Sequence, residues 1–138
     1  MIVHRFMSAI EFRKLMAGEV LENNSTHKGH KTSSVGFCFF TEPPHEAIHW
    51  LGGCVDCDYC VTMDIPVEML TKSKGQYRDP KKHNSYEPFI SSSMQMERTE
   101  WCCRKYSNKE AQVLNATPEF AMYSEIRRVF IKLGVIQP

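Results

Sequence analysis

The chain has 138 residues, 42% hydrophobic and 24% charged, with 17 lysine and arginine residues against 16 aspartate and glutamate. That composition excludes a disordered chain, the length suits a single core, and a net charge of +1 gives no general field to draw in nucleic acid or an anionic membrane. No apolar run approaches the roughly 20 residues of a membrane span and the start is not signal-like, so the expectation is one cytoplasmic domain over residues 1–138 with no membrane partner.

Ile2 to Phe6 is predicted as an opening strand, with the polar His4 and Arg5 near its end. Ser8 and Glu11 have the spacing of a capping box, flanked by Met7 and Phe12 at staple positions, and Gly18 is placed to end the helix. Glu19 to Glu22 is predicted as a brief strand, and the polar stretch Asn23 to Ser34 as a loop. Val35 to Phe40 follows as one buried strand, with Gly36 allowing close backbone approach. Thr41 is the expected cap of a short helix from Pro43 to Leu51, stopped by Gly52 and Gly53. Asp58 to Ile65 is predicted as a strand and Pro66 to Leu70 as one helical turn.

Lys72 to Ser93 is rich in Lys, Pro, Ser, Asn and Gly and is expected to be a long loop, suited to a lid. Met94 to Tyr106 and Ala111 to Asn115 are the remaining strand candidates, separated by a turn at Ser107 to Lys109. Thr117 and Pro118 are expected to start a C-terminal helix, with Phe120, Tyr123, Ile126, Phe130 and Leu133 facing the core and Lys132 in water. The fold class expected is α+β, a small split sheet with helices at the N- and C-terminal ends.

Three features supply chemistry suited to a phosphate- and ribose-containing ligand. Arg5 at a strand end offers a rigid donor fork, Thr32, Ser33 and Ser34 offer hydroxyls, and Glu110 with Gln112 offers a carboxylate and an amide for ribose hydroxyls. Their order resembles the ADP-ribosyltransferase superfamily of the arginine–serine–glutamate type, and more distantly the RNA 2′-phosphotransferases. His4-Arg5-Phe6-Met7-Ser8 is similar to the family's first motif, Thr32 to Phe37 to its middle motif, and Tyr106 to Leu114 stands in the place of its last. The resemblance spans most of the chain, through short motifs.

It implies that NAD is the cofactor and that a protein or nucleic acid accepts the ADP-ribose. It further implies that His4 and Arg5 bind the dinucleotide, that Thr32, Ser33 and Ser34 support the nicotinamide side, and that Phe39 packs against nicotinamide. Gln112 lies where the family has its catalytic glutamate, with Glu110 at the earlier acidic position and Glu100 as an alternative acid. An amide hydrogen-bonds a hydroxyl but does not supply the full negative charge that favours an oxocarbenium-like transition state. Activity therefore requires Glu110 or Glu100 to reach the sugar; otherwise the resemblance implies NAD binding without turnover.

Each feature also has a plainer reading. Arg5 suits a surface pair with an acid, Thr32 to Ser34 a loop entering a strand, Glu110 a solvated turn, and Phe39 the core. The cysteines Cys38, Cys54, Cys57, Cys60, Cys102 and Cys103 read as reduced thiols, some buried. A different reading places a structural zinc at His45, His49, Cys54 and Cys57, where two histidines share a helix face and the cysteines follow at ligand spacing. A small interaction or inhibitor protein, binding its partner through long loops, is the remaining alternative.

Overall fold

The computed structural model describes residues 1–27, 34–51, 57–78, 95–120 and 132. Among these the chain forms β1 (Ile2–Met7), α1 (Ala9–Met16), β2 (Leu21–Glu22), β3 (Thr26–His27), β4 (Ser34–Val35), β5 (Phe37–Phe39) and α2 (Pro44–Leu51). It continues with β6 (Tyr59–Asp64), a 3-10 turn (Val67–Met69), β7 (Thr71–Arg78), β8 (Gln95–Cys103), β9 (Lys105–Tyr106) and β10 (Gln112–Pro118). The architecture is a small mixed helix-and-sheet fold, mostly strand, which agrees with the expected α+β class.

Two antiparallel three-stranded sheets dominate, in the orders β1-β6-β10 and β5-β8-β7, with short pairs β2-β9 and β3-β4 beside them. The sheets meet where His4 pairs with Phe40, whose amides and carbonyls exchange hydrogen bonds of 2.8 and 3.0 Å. Strand alternation divides the core. Val3 and Met7 of β1, with Val61 and Met63 of β6, join Leu15, Leu21, Phe37, Phe39, Ile65 and Tyr106 in the larger cluster. Phe6 and Cys60 turn to the opposite face and pack with Phe40, Ala47, Ile48 and Phe120.

The first helix begins where its capping signal predicts: Ser8 adopts extended backbone and its Oγ accepts the Glu11 amide at 3.1 Å. Asp58 accepts the Ala9 amide at 2.9 Å, bringing a carboxylate to the positive end of the helix. Gly18, with φ of 82°, follows the helix in the left-handed region that glycine enters without strain.

Several expectations are corrected. The second helix starts at Pro44, and the Pro43 carbonyl accepts from Glu46 and Ala47, so the chain enters the helix at Pro43 rather than Thr41. The expected strand from Val35 to Phe40 is divided at Gly36, whose positive φ of 75° turns the chain between β4 and β5. Similarly, of the strand expected over Met94 to Tyr106, the described residues from Gln95 onward form two strands, parted at Arg104.

The expected lid is part strand: Thr71 to Arg78 pairs residue for residue with β8 from Cys102 back to Gln95. Backbone pairing rather than apolar content makes this element, and its lysines suit a sheet edge. Thr117 and Pro118 do not start a helix but extend β10 against Cys60 and Tyr59. Proline is tolerated there because β10 ends its sheet. Residues 79–93 of the expected lid lie outside the described residues, as does most of the expected C-terminal helix. Phe120 is buried, and Lys132 is helical and exposed.

Candidate functional site

Arg5 shares the face of β1 that carries Val3 and Met7, so its side chain enters the larger core cluster. Nε and Nη2 donate to the two oxygens of Glu11 at 2.6 and 2.8 Å, and Nη1 donates to the Cys38 carbonyl at 3.0 Å. The guanidinium carbon lies 5.1 Å from the Phe37 ring centre and 5.9 Å from that of Phe39, within cation–π range. The Tyr106 hydroxyl donates to Glu11 at 3.2 Å, and Phe39 stands edge-on to Tyr106 at 5.4 Å.

Burial disfavours the Arg5 charge, but the hydrogen bonds and charge of Glu11 outweigh it and hold the guanidinium above its ordinary pKa. Burial, then the Glu11 carboxylate, pushes the Tyr106 phenol upward. Glu11 therefore completes only half of the expected capping box: its amide binds Ser8 while its carboxylate turns to Arg5 and Tyr106. Helix capping thus fixes the acid that neutralises the strand's arginine.

The opposite face of β1 carries His4 beside the buried Phe6. His4 Nδ1 lies 2.8 Å from Thr62 Oγ1, and its ring stands 5.5 Å from that of Phe40. Burial lowers the His4 pKa, with Glu42 pulling the other way. Glu42 in turn faces Arg98 of β8, at 3.9 Å. The register sets Asn115 beside Thr62 and Gln112 beside Asp64 on β10, with a bulge between Val113 and Asn115. His4, Thr62, Asn115 and Gln112 therefore share one face of the β1-β6-β10 sheet, and Gln112 is exposed.

The remaining candidates are dispersed. Glu110 is exposed on the turn before β10 and accepts from Ser107 Oγ at 2.5 Å, a bond that lowers its pKa. Glu100 is buried in β8, in the other sheet. Ser34 belongs to β4, paired with His27, while Thr32 and Ser33 lie outside the described residues. The structure thus brings His4 and Gln112 to one face, and Arg5 and Phe39 together on the other; Arg5 and Gln112 are on opposite sides of the sheet.

Of the alternative zinc ligands, His45 is exposed on α2, 5.4 Å from the Phe120 ring, and Cys57 is partly buried. The side chain of His49, together with Cys54, lies outside the described residues. Sequence reasoning missed the roles of Glu11 and Tyr106. An arginine six residues before a helix-capping glutamate was the available signal, but it took the fold to bring the two together. No protein-family model, curated protein or solved structure matches the chain. Among the described residues, no helix is long and apolar enough to cross a membrane.

Proposed function

We propose that the chain binds NAD through an ADP-ribosyltransferase-like domain, with ADP-ribose transfer to a protein or nucleic-acid acceptor as the associated chemistry. The observation that carries this reading is the placing of His4 and Gln112 on one sheet face, on the strands either side of β6. His4 stands level with Thr62 and Gln112 level with Asp64, so two strand spacings and a two-residue offset separate them by roughly 12 Å, wide enough for a ribose and its base to lie between. His4, Thr62, Asn115 and Gln112 supply donors and acceptors for hydroxyls and amides. Arg5 acts as a positioning residue, tying β1 to α1 through Glu11 and to β5 through Cys38.

In transfer, the bond between the nicotinamide nitrogen and the ribose would break with nicotinamide leaving, positive charge would develop on the sugar, and the acceptor would form the new bond to the same carbon and give up its proton to solvent. Gln112 holds a hydroxyl but contributes no full charge, so NAD binding dominates over turnover. Saturating NAD is expected to stabilise the protein, by about 2.7 kcal/mol at a hundredfold excess over Kd. The gain should disappear in His4→Ala and Gln112→Ala, and Gln112→Glu should raise NAD hydrolysis above wild type. A wild-type melting curve unmoved by millimolar NAD would reject the reading and leave the interaction protein.

A further inference from the structure

Among the described residues, Cys38, Glu100 and Cys102 form a compact group of metal-ligating side chains, their ligand atoms all within 4.8 Å of one another. Cys38 on β5 stands directly across from Cys102 on β8, and Glu100 lies two residues back along β8, on the same face. Glu100 and Cys102 are buried, whereas Cys38 is partly exposed. Their side chains have no role in the proposed NAD site, which uses only the backbone carbonyl of Cys38.

We propose that Cys38, Glu100 and Cys102 bind a zinc ion, with two thiolates and one carboxylate as protein ligands and the fourth position open to water. The Cys102 and Cys38 sulfurs are 3.6 Å apart. Two thiolates on one tetrahedral zinc, each at about 2.3 Å, are about 3.8 Å apart, so little movement is needed. A disulfide would instead require the sulfurs to close to about 2.05 Å. Two sulfur donors select zinc over magnesium or calcium, which prefer all-oxygen sites.

Adjacent antiparallel strands fix the two cysteines, and the central position of β8 holds Glu100 in line with them. Ser73 of β7 lies directly across from Glu100 and is buried, giving the carboxylate a neighbouring hydroxyl in the second strand. Binding releases the two thiol protons to solvent and sets two thiolates and a carboxylate around the dication. The partly exposed Cys38 gives the ion its path inward. The ion would clamp β5 to β8, on the face opposite Phe37, Phe39 and Trp101.

Full-length protein purified under reducing conditions should contain about one equivalent of zinc by elemental mass spectrometry. Cobalt titrated into the stripped wild-type protein should give thiolate-to-metal charge transfer and the intense visible bands of a tetrahedral site. Cys38→Ser and Cys102→Ser should lose the zinc, and Glu100→Gln should weaken its retention against a chelator. Cys103→Ser, on the other face of β8, should keep it. Zinc that survives Cys38→Ser and Cys102→Ser but is lost in Cys57→Ser would overturn the assignment in favour of the His45 cluster. Absence of cobalt bands in stripped wild type, or recovery of Cys38 and Cys102 in one disulfide-linked peptide from protein handled without reductant, would also overturn it. The cobalt titration uses unmutated chain, so it decides the matter even where a serine variant fails to fold.

Discussion

At the scale of single residues, Arg5 and Glu11 form a mostly buried bidentate pair whose members depend on each other. Removing one leaves a charge in the core, so Arg5→Ala and Glu11→Ala should each lower unfolding stability by about 3 kcal/mol or more in urea titrations. The double variant should lose clearly less than the two losses summed, since neither charge is then stranded. Full additivity would show the pair to be uncoupled. His4 makes a second prediction, in acid. Its pKa is lowered from 6.5 in the fold, so the unfolded chain takes up the proton more readily. Its contribution is complete above 6.5 and is lost as pH falls from there through the lowered folded value. Stability measured from pH 7.5 down to about 5 should fall less steeply in His4→Gln than in wild type; equal slopes would contradict this. The sequence indicated that Arg5 could pair with an acid but not which acid, because the partner comes from a helix whose orientation depends on the packing of β1. Phe39 takes the core position that its place in an apolar strand suggests, since strand aromatics in a six-residue apolar run have two faces to fill.

Elements were most legible where local chemistry decides them. The Ser8 cap and Gly18 bound α1 because both act within a few residues of chain, and a glycine inside an apolar strand, as at Gly36, itself signals close backbone approach. The fold gives that glycine a sharper reason: a Cβ there would meet the carbonyl oxygens of Cys103 and Asn23, at a positive φ that side chains strain to adopt. Gly36→Ala should therefore destabilise by well over about 1 kcal/mol, which chemical denaturation would register. A loss no larger than that of an exposed glycine would show that the neighbouring backbone yields. Polar Thr71 to Arg78 escaped notice as a strand because its pairing partner β8 lies 17 or more residues along the chain and no apolar alternation marks it. The helix start expected at Thr117 and Pro118 fails for a related reason. Thr117 and Pro118 carry a local helix-start signal, but pairing with Cys60 and Tyr59 overrides it.

For the molecule as a whole, the expected α+β class matches the mixture of strands and two helices, whereas the order of strands within the two three-stranded sheets was beyond sequence reading. Patterning tells a strand which face to bury but not which neighbour to choose. The candidate site was legible in part for the same reason. His4 and Gln112 were each marked by type, and only the common partner β6 reveals that they look the same way. That arrangement also governs how the molecule assembles. β6 has β1 on one flank and β10 on the other, so Val61 awaits Arg5 from far upstream and Ala116 from far downstream. Both closures span dozens of residues, which places the chain among slower folders. During synthesis, β6 would leave the ribosome with one edge still open, and a vulnerable half-sheet would persist until the segment bearing Gln112–Pro118 had followed it out.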